Sequence, residues 1–339
     1  MTIDEGAIVC GDFKGVKKGE WTFTTKSAGP SDIYNLTVSA DGKADFSTVQ
    51  GALDAIEDFC PQTTTITVAP GDYEEIVYAR NKSNVIIKGA GSDKTHVHYA
   101  NNEVFNPHPL LVKTNEWPGT FPSRRAAFAL DNCTDIVLQD ISIATDLTGQ
   151  AEGLLLNGER IAMYRVKIKG SGDALQANGT IYMQDSVLEG GGDTILGRGS
   201  LFAYRSTFIN DGGPFSWVRN VKPAHGDVFV ECHFEGKEGR PADYGRCSTN
   251  HGRDYPDAEF VVINCTTRHF NPAGWSAIGL PSATMLEFAT RDADTGELVD
   301  VSKRHPYSRQ LDAQKDAKLI ADYSNPEFVL NGWKVNTQL

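Results

Sequence analysis

The sequence predicts an all-β, single-domain parallel β-helix, a solenoid in which each coil adds one rung of strands. Two observations support this class: a repeat of 20 residues in mid-chain, and short apolar segments rich in Val, Ile, Phe and Tyr. Repeats of about 20 to 30 residues that carry one short strand each are typical of solenoids. A helical repeat would show a 3.6-residue period over ten or more positions, whereas these segments alternate over six to eight. We predict coils over roughly residues 60–290.

Six segments share one template, and in chain order they are residues 136–143, 161–168, 181–188, 201–208, 228–234 and 261–267. The middle ones, IAMYRVKI, IYMQDSVL and LFAYRSTF, follow each other at an offset of 20. Neighbouring parallel strands lie about 4.8 Å apart. Equivalent positions of successive coils should therefore form ladders along the solenoid.

Two such ladders can be read from the alignment. The outward one alternates in charge and consists of Asp140, Arg165, Asp185, Arg205 and Glu231. The inward one is small and consists of Val166, Ser186, Ser206, Cys232 and Cys265. We predict that Arg165, Asp185 and Arg205 stack on one outward face and that Cys232 and Cys265 are neighbours. A merely solvated charged face is the alternative for the outward ladder.

The open ends of a solenoid need covers. Residues 45–58 predict an N-terminal capping helix that begins as a capping box, with Ser47 and, three residues on, Gln50. Its apolar face would consist of Val49, Ala52, Leu53 and Ile56. The C-terminal tail, about residues 290–339, has a helical pattern over residues 308–323 and should pack across the outside of the coils.

Composition excludes several classes of partner. A formal net charge of −12 argues against binding to nucleic acid or to anionic lipid, because both would be repelled. The chain has no run of 18 apolar residues, and its opening residues lack the basic and apolar segments of a signal peptide, so we expect no membrane span and a chain that is cytosolic or already trimmed. The six cysteines show no paired CxxC spacing, and we predict no metal and no cofactor.

A pair of aspartates marks the candidate site. In the 20-residue alignment, residues 170–173 (GSGD) fall on residues 190–193 (GGGD), which gives Asp173 and Asp193 the same phase in adjacent coils. At a separation of about 5 Å, two carboxylates would repel each other by about 3 kcal/mol. One would then tend to hold a proton while the other stays ionised, as an acid and a nucleophile. The spacing alone also suits a retaining glycosidase or two solvated corners of a solenoid.

Seven segments carry a resemblance to a known family, and they are residues 41–50 (DGKADFSTVQ), 68–73 (VAPGDY), 150–154 (QAEGL), 172–175 (GDAL), 193–197 (DTILG), 244–246 (YGR) and 272–275 (PAGW). In this order they resemble the pectin methylesterases, or pectinesterases, a carbohydrate esterase family with a right-handed parallel β-helix. The resemblance covers most of the chain.

The resemblance implies a role for each matching residue. Asp193 would be the nucleophile and Asp173 the general acid and base. Gln150 would donate to the oxyanion, Arg246 would orient Asp193, and Trp275 would lie in the substrate cleft.

The sequence departs from the family pattern at three places. The glutamine that usually precedes the acid/base aspartate is Gly172, which leaves the second oxyanion donor open. The usual Pro-Trp after the arginine is Cys247-Ser248, and the second tryptophan beyond Trp275 is Ile278. An acetyl ester of a pectic polysaccharide therefore remains an alternative to a methyl ester.

Three further residues are candidates for substrate binding. Arg198 directly follows the nucleophile segment, while Trp217 and Arg219 lie one coil further on. Arginine pairs with carboxylates and an aromatic face stacks on a sugar ring. Core packing is an equal alternative for Trp217.

The sequence therefore predicts a metal-free carboxylic-ester hydrolase that demethylates methyl-esterified galacturonan through an aspartyl acyl-enzyme. The alternatives are the acetyl esterase, a glycosidase or lyase of the same architecture, and a non-catalytic solenoid that binds polysaccharide. The expected partner is pectin, without nucleic acid or membrane, and the expected state is a monomer. Family resemblance implies a secreted or periplasmic protein.

Overall fold

The computed structural model describes residues 26–104, 125–247, 249 and 252–338. The chain divides into two compact units, Met1–Asp32 and Ile33–Leu339, and the second contains every strand and helix of the described residues. The single domain over residues 1–339 stays a prediction. The opening residues of the chain, on which the expected location partly depends, lie outside the described residues. Among the described residues, no helix is long and apolar enough to cross a bilayer.

The strands in chain order are β1 (Asn35–Val38), β2 (Thr64–Val68), β3 (Gly71–Glu74), β4 (Val77–Arg80), β5 (Ser83–Lys88), β6 (Thr95–Tyr99), β7 (Phe128–Gln139), β8 (Ser142–Thr145), β9 (Leu154–Tyr164), β10 (Lys167–Lys169), β11 (Leu175–Gln184), β12 (Val187–Gly190), β13 (Ile195–Gly197), β14 (Ser200–Tyr204), β15 (Thr207–Asn210), β16 (Gly213–Val218), β17 (Gly226–Val230), β18 (His233–Glu235), β19 (Ala242–Arg246), β20 (Glu259–Ile263), β21 (Thr266–Arg268), β22 (Thr284–Phe288), β23 (Arg291–Asp292) and β24 (Ser308–Gln310). The helices are α1 (Val49–Asp54), α2 (Ala317–Tyr323) and α3 (Pro326–Val329).

These strands form a parallel β-helix. One sheet of nine strands runs from β3 to β23, and a second of fifteen strands bends so that it supplies two further faces. The bend lies inside the long strands β7, β9 and β11: the first part of β11 pairs with β13 and its second part with β14. Gly179 occupies this bend in β11, where an added Cβ would lie 1.7 Å from the Gly158 carbonyl oxygen of the neighbouring coil. The face with β13, β16 and β19 carries the candidate site.

The predicted repeat is confirmed by the strand register. Ile161 pairs with Ile181 and Ile181 with Leu201, so the coils stack at the predicted offset of 20 residues. The coils extend beyond the predicted range of 60–290, from Asn35 to Gln310. The outermost coils could not be recognised in the sequence, because their spacing is irregular. β1 pairs with β2, and β22 pairs with β24, across connections of unequal length.

The outward charge ladder is confirmed and lies at one corner of the coils. Arg165 donates to both carboxylate oxygens of Asp140 at 2.7 and 3.1 Å, and Arg205 donates to both oxygens of Asp185 at 3.1 and 3.0 Å. The residues that turn this corner all have a positive φ, between 46° and 54°, and they are Asp140, Arg165, Asp185, Arg205, Glu231, Asn264 and Ala289. The ladder therefore combines ion pairs with a repeated left-handed backbone.

The inward ladder forms a column of hydrogen bonds. The Ser186 hydroxyl accepts from the Val166 amide at 3.0 Å, and the Ser206 hydroxyl accepts from the Ser186 amide at 3.2 Å. Further along, the Cys265 sulfur accepts from the Cys232 amide at 3.3 Å, which confirms that these cysteines are neighbours. Both thiols are free.

The N-terminal cap is confirmed as a helix over the end of the core, but its capping residue is not Ser47. Thr48 is the N-cap and accepts from the Gly51 amide at 3.1 Å. Gln50 does not close a capping box, because its side chain pairs with the backbone of Tyr78. The first amides of α1 instead donate to the Glu75 carboxylate. Its apolar face is buried as predicted.

The C-terminal tail packs across the outside of the coils as predicted, on an apolar stripe that includes Tyr164, Tyr182 and Phe202. The helix over residues 308–323 is wrong in its first half. Ser308–Gln310 is β24, because these residues pair with β22, and α2 begins only at Ala317.

Candidate active site

Three carboxylates form a column at the start of the site-bearing strands. Leu154, Leu175 and Ile195 are paired with one another across β9, β11 and β13. Two residues before each of them stand Glu152, Asp173 and Asp193, respectively. The register thus places Asp173 and Asp193 at equivalent positions of adjacent coils, and it adds Glu152 as a third member.

Asp193 is held by a fork of two hydrogen bonds from Arg246, the last residue of β19. Nε of Arg246 lies 2.7 Å from Oδ1 of Asp193, and Nη2 lies 2.5 Å from Oδ2. The Asp193 side chain is 15 % exposed and that of Arg246 is 29 % exposed, so the pair opens to the surface. Hydrogen bonds to Asp193 raise the pKa of Arg246. This geometry fixes the direction of the Asp193 carboxylate.

Asp173 is more deeply buried, at 8 % exposure, and its Oδ2 lies 2.8 Å from Nη2 of Arg125. Burial raises the pKa of Asp173, and repulsion from Asp193 acts in the same direction, while Arg125 opposes both. Asp173 therefore keeps its proton to higher pH than an ordinary aspartate does.

Arg125 bridges three side chains of the site. Its Nη1 lies 2.5 Å from Oε1 of Gln150, and its Nε lies 2.6 Å from Oε1 of Glu152. Glu152 is fully buried and also accepts from Gln176 at 2.6 Å. Burial raises the pKa of Glu152 to about 7, with Arg125 opposing and Asp173 adding to the shift. Because Gln150 accepts through its amide oxygen, its NH₂ group points away from Arg125.

Gly172 lies where the family pattern has a glutamine, and the structure leaves no room for a side chain there. Its φ is +64°, and an added Cβ would lie 2.8 Å from the Gly149 carbonyl oxygen. The loop that carries Gln150 occupies this space, because Ala151 and Ser171 exchange two backbone hydrogen bonds of 2.9 Å. A glutamine at position 172 would require both loops to move.

Trp217 lies between charged groups of the site. The guanidinium of Arg246 is 4.3 Å and that of Arg219 is 4.6 Å from the indole ring centroid. Tyr255 packs edge-on against the same indole at 6.3 Å. Arg219 is only 5 % exposed, and it acts electrostatically on Asp173 and Asp193. The structure therefore places Trp217 and Arg219 beside the aspartates, with the ring engaged by cations.

Trp275, which is predicted to lie in the substrate cleft, is buried in the structure. It is 1 % exposed and packs against the Tyr244 ring at 5.0 Å between centroids. In this position the indole supports β19, the strand that carries Arg246, and it offers no face to a polysaccharide. Core packing at the inner side of β19 is the physical reason.

Arg198 lies apart from the Asp193–Arg246 pair, in a cavity of about 570 Å³ at the bend between the two parts of the large sheet. Lys222 and Trp333 also line this cavity, whereas Asp173 and Asp193 do not. Burial lowers the pKa of Arg198 to about 10. Its electrostatic interaction with Arg219 links the cavity to the site.

Sequence reasoning missed Arg125 and Glu152. The sequence contains a signal for Glu152, since this residue precedes Asp173 by about one repeat length and is equivalent to it in the strand register. Arg125 carried none, since it lies 48 residues before Asp173 and matches no motif. Ser248, part of a predicted departure, lies outside the described residues.

The sequence is similar to known pectinesterases. The sequence matches the Pectinesterase family over residues 35–329. It is 25 % identical over 295 residues to the Arabidopsis thaliana protein named "Probable pectinesterase 8", covering 84 % of this chain and 73 % of that protein. It is also 28 % identical over 257 residues to pectinesterase QRT1 of the same plant, covering 71 % and 64 %.

Solved structures show the same fold. The pectin methylesterase from carrot superposes with a TM-score of 0.69 at 18 % identity, covering 91 % of this chain and 95 % of that one. The deglycosylated pectin methylesterase from Aspergillus niger superposes with a TM-score of 0.66 at 19 % identity, covering 88 % and 98 %. Both are right-handed parallel β-helices, which confirms the predicted fold class. With the family match over most of its length, the chain belongs to the pectinesterase family of carboxylic-ester hydrolases.

Proposed function

We propose that this chain removes methyl groups from the galacturonan of pectin through a covalent aspartyl acyl-enzyme. The observation that carries the proposal is the two-bond pair between Arg246 and Asp193, beside the more buried Asp173. A carboxylate held by a permanent cation stays ionised and aimed, as a nucleophile must. A buried carboxyl with a raised pKa suits the acid.

In the first half of the reaction, a carboxylate oxygen of Asp193 attacks the ester carbonyl carbon. The electron pair of the carbonyl moves to its oxygen, which the Gln150 NH₂ group stabilises. When the carbonyl re-forms, the bond to the methoxy oxygen breaks. Asp173 gives this oxygen its proton, and methanol leaves.

In the second half, Asp173 is ionised and acts as the base. It takes a proton from water, whose oxygen attacks the carbonyl carbon of the acyl-enzyme. The bond to Asp193 breaks, which restores both aspartates and releases the galacturonic acid. Its remaining proton passes to solvent, which leaves a galacturonate carboxylate. Since Asp173 serves as acid and then as base, its environment controls both halves.

The binding partner follows from the same proposal. Pectin methylesterases of this fold have been solved in complex with hexasaccharides. For this chain we infer a galacturonan strand held near Arg198 and Arg246, because guanidinium groups pair with the carboxylates exposed by demethylation. Pectinesterases are typically extracellular. The secreted or periplasmic location and the monomeric state remain predictions.

Substituting each aspartate tests the mechanism. Asp193→Asn should abolish methanol release from methyl-esterified pectin, because an amide cannot form the acyl-enzyme. Asp173→Asn should slow turnover by about 10² to 10⁴, the usual contribution of a general acid and base. In wild type, kcat/KM should fall at low pH, where a group that must be ionised gains a proton. It should also fall at high pH, where a group that must be protonated loses its proton. The raised pKa of Asp173 displaces the alkaline limb upward.

Asp185→Asn is a matched control, because Asp185 also pairs with an arginine, Arg205, but lies at another corner. Its methanol release should equal that of wild type. Methanol without new reducing ends selects the methylesterase, acetate from acetylated pectin selects the acetyl esterase, and new reducing ends select chain cleavage. Near-normal turnover of both Asp193→Asn and Asp173→Asn would refute the proposed mechanism.

A further inference from the structure

The site contains a buried ion cluster formed around Arg125 and Glu152, two residues that take no direct part in the proposed reaction. Arg125 donates from three different nitrogens to three different residues, at 2.5 Å to Gln150, 2.6 Å to Glu152 and 2.8 Å to Asp173. The Arg125 side chain is 11 % exposed and that of Glu152 is not exposed at all. A buried charge pair is costly unless its partners are well placed. Because Arg125 binds both Gln150 and Asp173, two residues of the proposed mechanism, we expect the cluster to have a function in that mechanism.

The cluster also binds the loop that packs against Gly172. A side chain at position 172 is excluded, since an added Cβ would lie 2.8 Å from the Gly149 carbonyl oxygen. The loop that takes this space carries Gln150, whose amide oxygen is bound by Arg125. An amide that accepts from a fixed guanidinium cannot flip without losing that bond, so its NH₂ group keeps one direction.

We propose that Arg125 is a positioning residue of the ester hydrolase: anchored by Glu152, it holds the Gln150 amide in its donating orientation and the Asp173 carboxyl in place. The inference rests on the proposed function of Gln150 and Asp173. Glu152 fixes the guanidinium through Nε and is itself fixed by Gln176.

The Arg125 cation also acts on the proton of Asp173. It favours the ionised form of Asp173, against burial and the repulsion from Asp193, which favour the protonated form. Removing Arg125 should therefore let Asp173 keep its proton to higher pH. A residue that only supported the fold would move neither limb of the pH profile.

The test compares Arg125→Met, Arg125→Lys and Glu152→Gln by methanol release from methyl-esterified pectin over pH. Arg125→Met should lower kcat by up to about 100-fold with little change in KM, because the Gln150 amide loses its fixed direction. Its alkaline limb in kcat/KM should move to higher pH. Arg125→Lys should return the limb towards its wild-type position without restoring the full rate, since it keeps the charge but not the fork. Glu152→Gln should also lower kcat, because the Arg125 guanidinium loses its charged anchor at Nε.

Arg304→Met is the matched control. Arg304 forms a similarly buried pair with Glu287, at 2.8 Å, on the coils beyond β19. It should lower the thermal unfolding midpoint and leave both pH limbs unchanged. An alkaline limb that stays in place in Arg125→Met, or a kcat of Glu152→Gln equal to that of wild type, would overturn the inference. Asp193→Asn is run alongside: if it retains activity, the proposed function fails by itself.

Discussion

At the scale of single residues, Trp217 shows how an aromatic ring can belong to a charge arrangement. Two guanidinium groups, of Arg246 and Arg219, lie within 4.6 Å of its ring centroid. A cation over an indole face is worth about 0.5 to 2 kcal/mol, depending on its desolvation. Because Arg246 also binds Asp193, the ring helps to keep the proposed nucleophile aimed.

Replacing Trp217 separates this role from sugar binding. Trp217→Leu keeps an apolar contact with Tyr255 but removes the π face, so Arg246 should become less well fixed. We expect kcat to fall about 10-fold, which corresponds to about 1.4 kcal/mol, with KM nearly unchanged. Trp217→Phe should lie between Trp217→Leu and wild type. The measurement is steady-state methanol release.

Tyr204→Leu serves as the control for this substitution, because a guanidinium, that of Arg205, also lies over the Tyr204 ring, 4.7 Å from its centroid, but at the outward charge ladder. Its kcat should stay at the wild-type value. A rise of KM alone in Trp217→Leu would show instead that the ring contacts the polysaccharide, which is the sugar-stacking role that the sequence also allows.

At the scale of elements, the corner of the coils is governed by backbone conformation as well as by charge. Asp185 has a φ of 49° and Arg205 a φ of 46°. The left-handed region costs most residues about 1 to 2 kcal/mol, while aspartate and asparagine enter it more readily. The ion pairs here are half exposed, and such pairs contribute about 0 to 1 kcal/mol. The backbone conformation at this corner should therefore affect the free energy of unfolding more than the ion pairs do.

Two substitutions of Asp185 measure these two contributions separately. Asp185→Asn removes the charge and keeps a residue that accepts positive φ, so unfolding should become easier by less than about 1 kcal/mol. Asp185→Val also forces a β-branched residue into this region and should cost about 1 to 2 kcal/mol more. Urea unfolding at neutral pH measures both. Equal losses of stability would mean that the ion pair, and not the corner, dominates.

At the scale of the whole molecule, what could be predicted from the sequence depended on regular spacing. The coils around residues 161–208 were predictable because equivalent residues recur at an offset of 20, and the same offset brought Asp173 onto Asp193. The outer coils were not predictable, since loops of unequal length separate β1 from β2 and β22 from β24. The helix over residues 308–323 was overestimated because pairing to β22 took its first residues.

The ion cluster could not be predicted for a related reason. Arg125 meets Glu152 and Asp173 across separations of 27 and 48 residues, which no local pattern reports. The burial of Trp275 could not be predicted either, because a motif does not say which way a side chain points. Burial against Tyr244 decided its direction.

The stability of the whole molecule should depend on pH through the buried Asp227 of β17. Burial raises the pKa of this carboxyl to about 6, although the Ser216 hydroxyl, which donates to it at 2.5 Å, opposes the shift. In the unfolded chain its pKa is about 3.9. The folded state thus binds more protons between these values, so the contribution of Asp227 is fully present below pH of about 4 and is lost as pH rises to about 6.

Asp227→Asn should isolate this contribution, because an amide does not titrate. Relative to this variant, wild type should lose about 2 to 3 kcal/mol of unfolding free energy between pH 4 and pH 7, which corresponds to about two pKa units. Ser216→Ala should enlarge the loss, since the bond that favours the charged form is gone. Urea unfolding of the three proteins across this range measures the effect. A constant difference between wild type and Asp227→Asn would show that Asp227 is ionised equally easily in both states, and that its burial is relieved by solvent.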